Sequence, residues 1–128
     1  MTPELVFILH TLCWGYKVEP NFALAVAHVE SGDKHHEFRM GRLGHSPYYG
    51  PFGIHRDFLK RWRIDDPEIN CLVGVRALRN TQTLEAKKRR LKKYNTEFSE
   101  EYWKSVVAAY KKYKRKEVLD NIRESCNK

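Results

Sequence analysis

The chain has 128 residues, 41% hydrophobic and 12% aromatic, which suits one compact folded domain and excludes a disordered polymer. Its formal net charge of +8 favours polyanionic partners (nucleic acid, an anionic membrane or an anionic cell-wall polymer) without choosing among them. Cys13, Cys71 and Cys126 are too few and too scattered for a disulfide framework or a zinc knuckle. At most one pair can bridge, and buried thiols are the expectation.

Thr2-Pro3-Glu4 opens a first helix with a capping hydroxyl, a proline in the first turn and an acid near the positive end of the dipole. Leu5, Ile8, Leu9 and Leu12 follow at helical spacing, and Gly15 is expected to stop the run. The apolar stretch 5–14 is too short to span a bilayer and lacks a basic leader, so it reads as a core helix and not as a signal peptide.

The second helix carries the most information. Pro20 suits its first turn, Ala23-Leu24-Ala25-Val26-Ala27 is small or apolar throughout, and Gly32 can close it in a left-handed cap. A helix apolar on nearly every face belongs in the middle of a protein. It ends in His28-Val29-Glu30-Ser31. Glu30 is either a solvated helix-end residue or, beside an irregular loop, an acid whose pKa burial raises toward neutrality.

Residues 33–53 hold Gly41, Gly44, Pro47, Gly50, Pro51 and Gly53, which forbid a long helix. His35, His36, His45, Tyr48 and Tyr49 in the same stretch are donors and flat faces suited to a polar-ligand cleft. Ile54, Phe58 and Trp62 recur every four residues and predict a short helix. Asp66-Pro67-Glu68 caps the next, with Ile69, Leu72, Val73 and Leu78 on its buried side. Residues 83–93 are dominated by lysine and arginine. Ser99 with Glu100 and Glu101 starts a further helix whose inner stripe is Trp103, Val106, Val107 and Tyr110. A second basic run at 111–116 precedes Val118, Leu119 and Ile122, which predict a final short helix. No strand pair, repeat or linker is evident. The expectation is one all-α domain over 1–128, of about six helices.

Three chemistries compete. Six histidines and the H-x-E spacing of His28 and Glu30 suggest a metal, but the P-C-x-x-C half of the deaminase signature and any H-E-x-x-H are missing. No metal or cofactor is expected. The two basic runs suggest nucleic acid, yet no recognition motif accompanies them, and solvated helix faces with weak, salt-sensitive polyanion binding are the expectation.

The third is glycoside cleavage. Glu30-Ser31-Gly32, then Gly50-Pro51-Phe52-Gly53-Ile54, then Asp66-Pro67-Glu68-Ile69-Asn70 with Gly74 and Leu78-Arg79, then Ala108-Ala109-Tyr110 stand in the order of the soluble lytic transglycosylase family. Together with Val18-Glu19-Pro20 upstream, the chain resembles that family, within the lysozyme superfamily, over about residues 3–115. The resemblance implies a lysozyme-like helical domain with a glycan cleft and Glu30 as sole catalytic acid/base. It implies cleavage of the β-1,4 bond between N-acetylmuramic acid and N-acetylglucosamine in peptidoglycan, closing a 1,6-anhydro ring. The family's A-Y-N block maps onto Tyr110 as a hydroxyl beside the acid. From the residues alone, Tyr110 is equally a core ring whose hydroxyl finds a partner. Ser31, Ser46, Tyr48, Tyr49, Phe52 and Gly53 are the expected substrate contacts.

The chain also departs from the family. Gly50-Pro51-Phe52-Gly53 replaces the usual G-L-M-Q, and Lys111 replaces the asparagine after the tyrosine. A lysozyme-type hydrolase needs a second carboxylate, roughly 5–5.5 Å from the acid for retention or 6.5–9.5 Å for inversion. Asp33, Glu37, Asp57, Asp65 and Asp66 are the candidates. A non-catalytic peptidoglycan-binding module is the alternative from another class. The expected protein is a monomer acting in the periplasm or cell wall, with no export signal of its own, in wall remodelling, a secretion system or a phage.

Overall fold

The computed structural model describes residues 3–31, 48–95 and 98–127, with Ser31 and Tyr48 described by their backbone alone. The protein is mainly helical, with five α-helices among the described residues. Helix α1, Pro3–Tyr16, buries Leu5, Leu9 and Cys13, one every four residues, and leaves Phe7 and Trp14 exposed. Gly15 does not end it. The chain turns at Lys17, in the left-handed region at φ 58°, and Val18 N–H closes on the Cys13 carbonyl at 2.9 Å.

Helix α2, Pro20–Ser31, lies in the core as its composition predicts, with Phe22, Ala23, Ala25, Val26 and Ala27 all buried. It packs chiefly on the C-terminal helix, while α1 packs on α2 and α3. Helix α3, Pro67–Ala77, starts where expected: the Asp66 carboxylate accepts from the Glu68 and Ile69 N–H groups at 2.9 and 3.3 Å. Its buried face is rotated from the expected one. Asn70, Cys71, Gly74 and Val75 are buried, and Ile69, Leu72 and Val73 are only half-buried. Cys13 and Cys71 are buried free thiols, and Cys126 is an exposed one.

The expected short helix over Ile54 to Trp62 is corrected. Strands β1, Tyr48–Tyr49, and β2, Ile54–His55, pair antiparallel with Tyr49 opposite Ile54, and a 3-10 helix, Arg56–Lys60, follows. A four-residue spacing of apolar residues cannot by itself separate one helix from a strand end followed by a tight turn. The hairpin is only two residues long on each side and is held from outside. Asn70 donates to the Tyr49 and Ile64 carbonyls at 3.0 and 2.9 Å and accepts from Phe52 N–H at 3.2 Å.

Helix α4, Leu84–Tyr94, is capped by Thr83 and carries the first basic run. Helix α5, Glu100–Cys126, is continuous, so the expected break before a final short helix is also corrected. No Gly or Pro interrupts those 27 residues, and Lys, Arg, Glu and Ala there are good helix formers. Val118, Leu119 and Ile122 are exposed on it. One hydrophobic cluster runs from Leu5 on α1 to Val106 on α5. No helix among the described residues is long and apolar enough to cross a membrane.

Candidate active site

Glu30 sits half-buried in the last turn of α2, where three other segments meet it. From α5, the Tyr102 hydroxyl donates to Glu30 Oε1 at 2.5 Å. From the end of α4, the Asn95 amide donates to the same oxygen at 3.4 Å and also hydrogen-bonds the Tyr102 phenol. From the hairpin turn comes Gly53, whose missing Cβ would stand 3.1 Å from Glu30 Oε2. Gly53 has φ +55°, a left-handed conformation that favours glycine, so the turn brings bare backbone against the acid.

The turn is pinned on both sides. The Tyr94 hydroxyl donates to the Phe52 carbonyl, and Asn70 takes the Phe52 N–H. The Phe52 ring lies against α3 at Gly74, where a Cβ would come within 2.2 Å of its Cγ. Phe52 is completely buried, which corrects its expected role as a substrate contact. Close packing of that ring on Gly74 seats the turn that carries Gly53 against α3.

Burial raises the pKa of both Tyr94 and Tyr102, and the Glu30 charge raises them further. Both phenols therefore stay protonated donors. They supply a hydroxyl on Oε1 and a second one a short step away, holding the turn.

Tyr110 is corrected as the hydroxyl beside Glu30. Its phenol donates to Glu19, just before α2, while its ring meets Phe22 edge-on at 6.3 Å. Glu19 and Glu30 stand at opposite ends of α2, about 16 Å apart at 1.5 Å per residue. A displacement of eight residues along α5, from 102 to 110, thus carries a phenol from one end of α2 to the other. The bland reading of Tyr110, a half-buried ring with a bonded hydroxyl, is the one the structure has. Tyr94 is followed by Asn95, and of that pair it is the amide that bonds Glu30, while the phenol bonds Phe52. Tyr102 carried no motif at all.

Lys87, assigned by its basic run to a solvated face, is buried. Its Nζ donates to the Thr81 carbonyl at 2.8 Å, lies 3.6 Å from Glu19 and stands 5.4 Å from the centre of the Phe22 ring. Desolvation lowers its pKa and Glu19 opposes that, so this end of α2 is a structural ion pair.

Of the candidate second carboxylates, Asp57 lies beside His55 at 3.3 Å, Asp65 is paired with Arg63 at 2.6 Å, and Asp66 caps α3. Tyr49 is half-buried against the core. Asp33, His35, His36, Glu37, His45, Ser46 and the side chains of Ser31 and Tyr48 lie outside the described residues. Among the described residues, no cluster of three or more His, Cys, Asp or Glu gathers that could hold a metal. Comparison with family models, with curated proteins and with solved structures gives no match.

Proposed function

We propose that the chain is a lysozyme-like lytic transglycosylase that cleaves the N-acetylmuramic acid–N-acetylglucosamine bond of peptidoglycan, with Glu30 as its single acid/base. One observation carries the reading: the carboxyl that ends the buried helix meets a phenol, an amide and a glycine turn drawn from three distant segments. Tyr102 and Asn95 donate to Oε1, and the mechanism assigns the acid's proton to Oε2, the oxygen that faces Gly53. Protonated Glu30 gives that proton to the leaving glycosidic oxygen. As carboxylate it then takes one from the sugar's 6-hydroxyl while that oxygen attacks the anomeric carbon and closes the anhydro ring. Tyr102 keeps the carboxyl in one orientation and offsets the charge it acquires.

An attached nucleophile needs no ordered water and no second carboxylate. Asp57, Asp65 and Asp66 each serve another partner, which agrees with the single-acid route and disfavours a hydrolase built on them. The net positive charge suits an anionic wall as the place of action.

Mass spectrometry of the products from purified sacculi tests the reading. Anhydro ends are expected, and reducing ends, heavier by one water, would replace the proposal with a hydrolase. Glu30→Gln is expected to cut product release at least about 100-fold, the usual contribution of a positioned acid, while the fold persists. An inert wild type that still binds sacculi would leave a binding module only.

A further inference from the structure

A hollow of about 500 Å³ opens between the C-terminal half of α3 and the segment after the 3-10 helix. Its lining is Arg61, Trp62, Val73, Arg76, Ala77 and Arg79, three guanidinium groups and no carboxylate. We infer that this hollow is an anion site that takes the phosphates of a phosphodiester chain whose units carry no bases. The inference is independent of the reading of Glu30, which lies on other elements.

The charge balance decides the sign of the ligand. The carbonyl end of α3 contributes about half a negative charge. One N–H of Arg79 answers it by donating to the Arg76 carbonyl at 3.0 Å. Three positive charges outweigh that half charge. The nearest acid along the chain is already engaged, since Asp65 is bound in a two-pronged pair by Arg63 at 3.0 and 2.6 Å.

The donor type decides the ligand's class. A guanidinium presents a planar fork that matches phosphate oxygens two at a time, which an ammonium group does not. Arg76 is also partly preorganised, its guanidinium carbon 5.7 Å over the Trp62 ring, so less side-chain freedom is lost on binding. That same contact argues against nucleic acid. Trp62 packs against the hydrophobic core and bears Arg76 on its ring, so it is already committed when a nucleobase would need it for stacking. Recognition falls to the charges.

The test is a titration of the isotope-labelled full chain with short poly(glycerol phosphate) at low salt, followed by NMR of the arginine Nε and Trp indole groups. Saturable shifts at Arg61, Trp62, Arg76 and Arg79 are expected, and Arg76→Gln should weaken binding about tenfold. Arg76→Lys should not restore it, because the fork is lost. Arg79→Gln supplies the same reading should the amide spectrum show Arg76→Gln to be misfolded. Glu30→Gln should bind like the wild type, whereas a wild type that releases no product from sacculi yet binds the polymer would sink the catalytic proposal and leave this one standing. Shifts spread over the α4 and α5 lysines, with no effect of either arginine variant, would overturn it as diffuse attraction. Tighter binding of single-stranded DNA with an equal number of phosphates would overturn the base-free assignment.

Discussion

The Tyr102 phenol donates to Glu30 Oε1 at 2.5 Å, joining residues 72 apart in the chain and fixing the axial position of α5 against the end of α2. The bond places a neutral donor on a carboxyl that the proposed reaction takes through both protonation states. A donor to one oxygen lowers the cost of the charged state and directs the proton to the other.

Tyr102→Phe removes that donor and little else. The expected outcome is a 10- to 100-fold fall in kcat, about 1.4–2.7 kcal/mol of transition-state stabilisation, with KM nearly unchanged. Stability should shift by no more than about 1.5 kcal/mol, the usual net worth of one hydrogen bond. Steady-state kinetics on solubilised glycan strands and urea unfolding measure both. Tyr110→Phe is the comparison: it should leave kcat unchanged, because its phenol serves Glu19 at the far end of α2.

Gly53→Ala places a methyl 3.1 Å from Glu30 Oε2 and 3.3 Å from Glu30 Cβ at a backbone φ of +55°. The left-handed conformation alone costs a residue with a Cβ about 1–2 kcal/mol. Activity should fall more steeply than stability, because the methyl crowds the oxygen to which the proposed mechanism assigns the proton. Thermal unfolding and sacculus digestion of one preparation separate the two effects, and an alanine variant with full activity would remove Oε2 from the proposed mechanism.

Asn70 is the hinge of the hairpin, with one acceptor and two donor bonds to Phe52, Tyr49 and Ile64. Asn70→Ala leaves a buried N–H and two carbonyls without this partner. At about 1 kcal/mol or more per abandoned group, the expected loss is about 3 kcal/mol. Because the hairpin presents Gly53, activity should fall at temperatures where α2 and α5 remain folded. Circular dichroism followed alongside digestion checks this, and coincident losses would refute the local account.

Alkaline pH should destabilise the fold from about pH 9. Burial pushes the Cys13 and Cys71 thiols up to about 12 from an ordinary 9.0. A group with a raised folded pKa stabilises fully below its unfolded value and loses that contribution as pH rises through the folded one. Each thiol therefore costs about 1.4 kcal/mol per pH unit between about pH 9 and 12. The buried phenols of Tyr94 and Tyr102, also raised, add to the slope above pH 10. Urea midpoints at pH 7, 9 and 10.5 should decline, and Cys71→Ala should flatten the decline between pH 9 and 10.

How much of this was legible in the chain divides along a physical line. Caps and breakers act within one turn, so Pro20 at the start of α2, Asp66 before α3 and Ser99 before α5 marked those helices by local chemistry alone. The small apolar run of α2 announced a central helix because only burial suits such a surface, and Glu30 was marked by standing at its end. Gly53 could be expected near the acid, though as a substrate contact and not as the bare backbone that meets it.

Three matters required the tertiary structure. Phe52 could point to a cleft or a core, and Gly74 on another helix decides it. Lys87 in a run of exposed cations is buried because Glu19 and the Thr81 carbonyl receive it. Which phenol serves Glu30 depends on how far α5 is slid along α2. The helical period determines which residues share a face, but it repeats every turn and carries no information about axial register. Tyr102 and Tyr110 are two turns apart and alike in pattern, and only the packing of one helix against the other tells them apart.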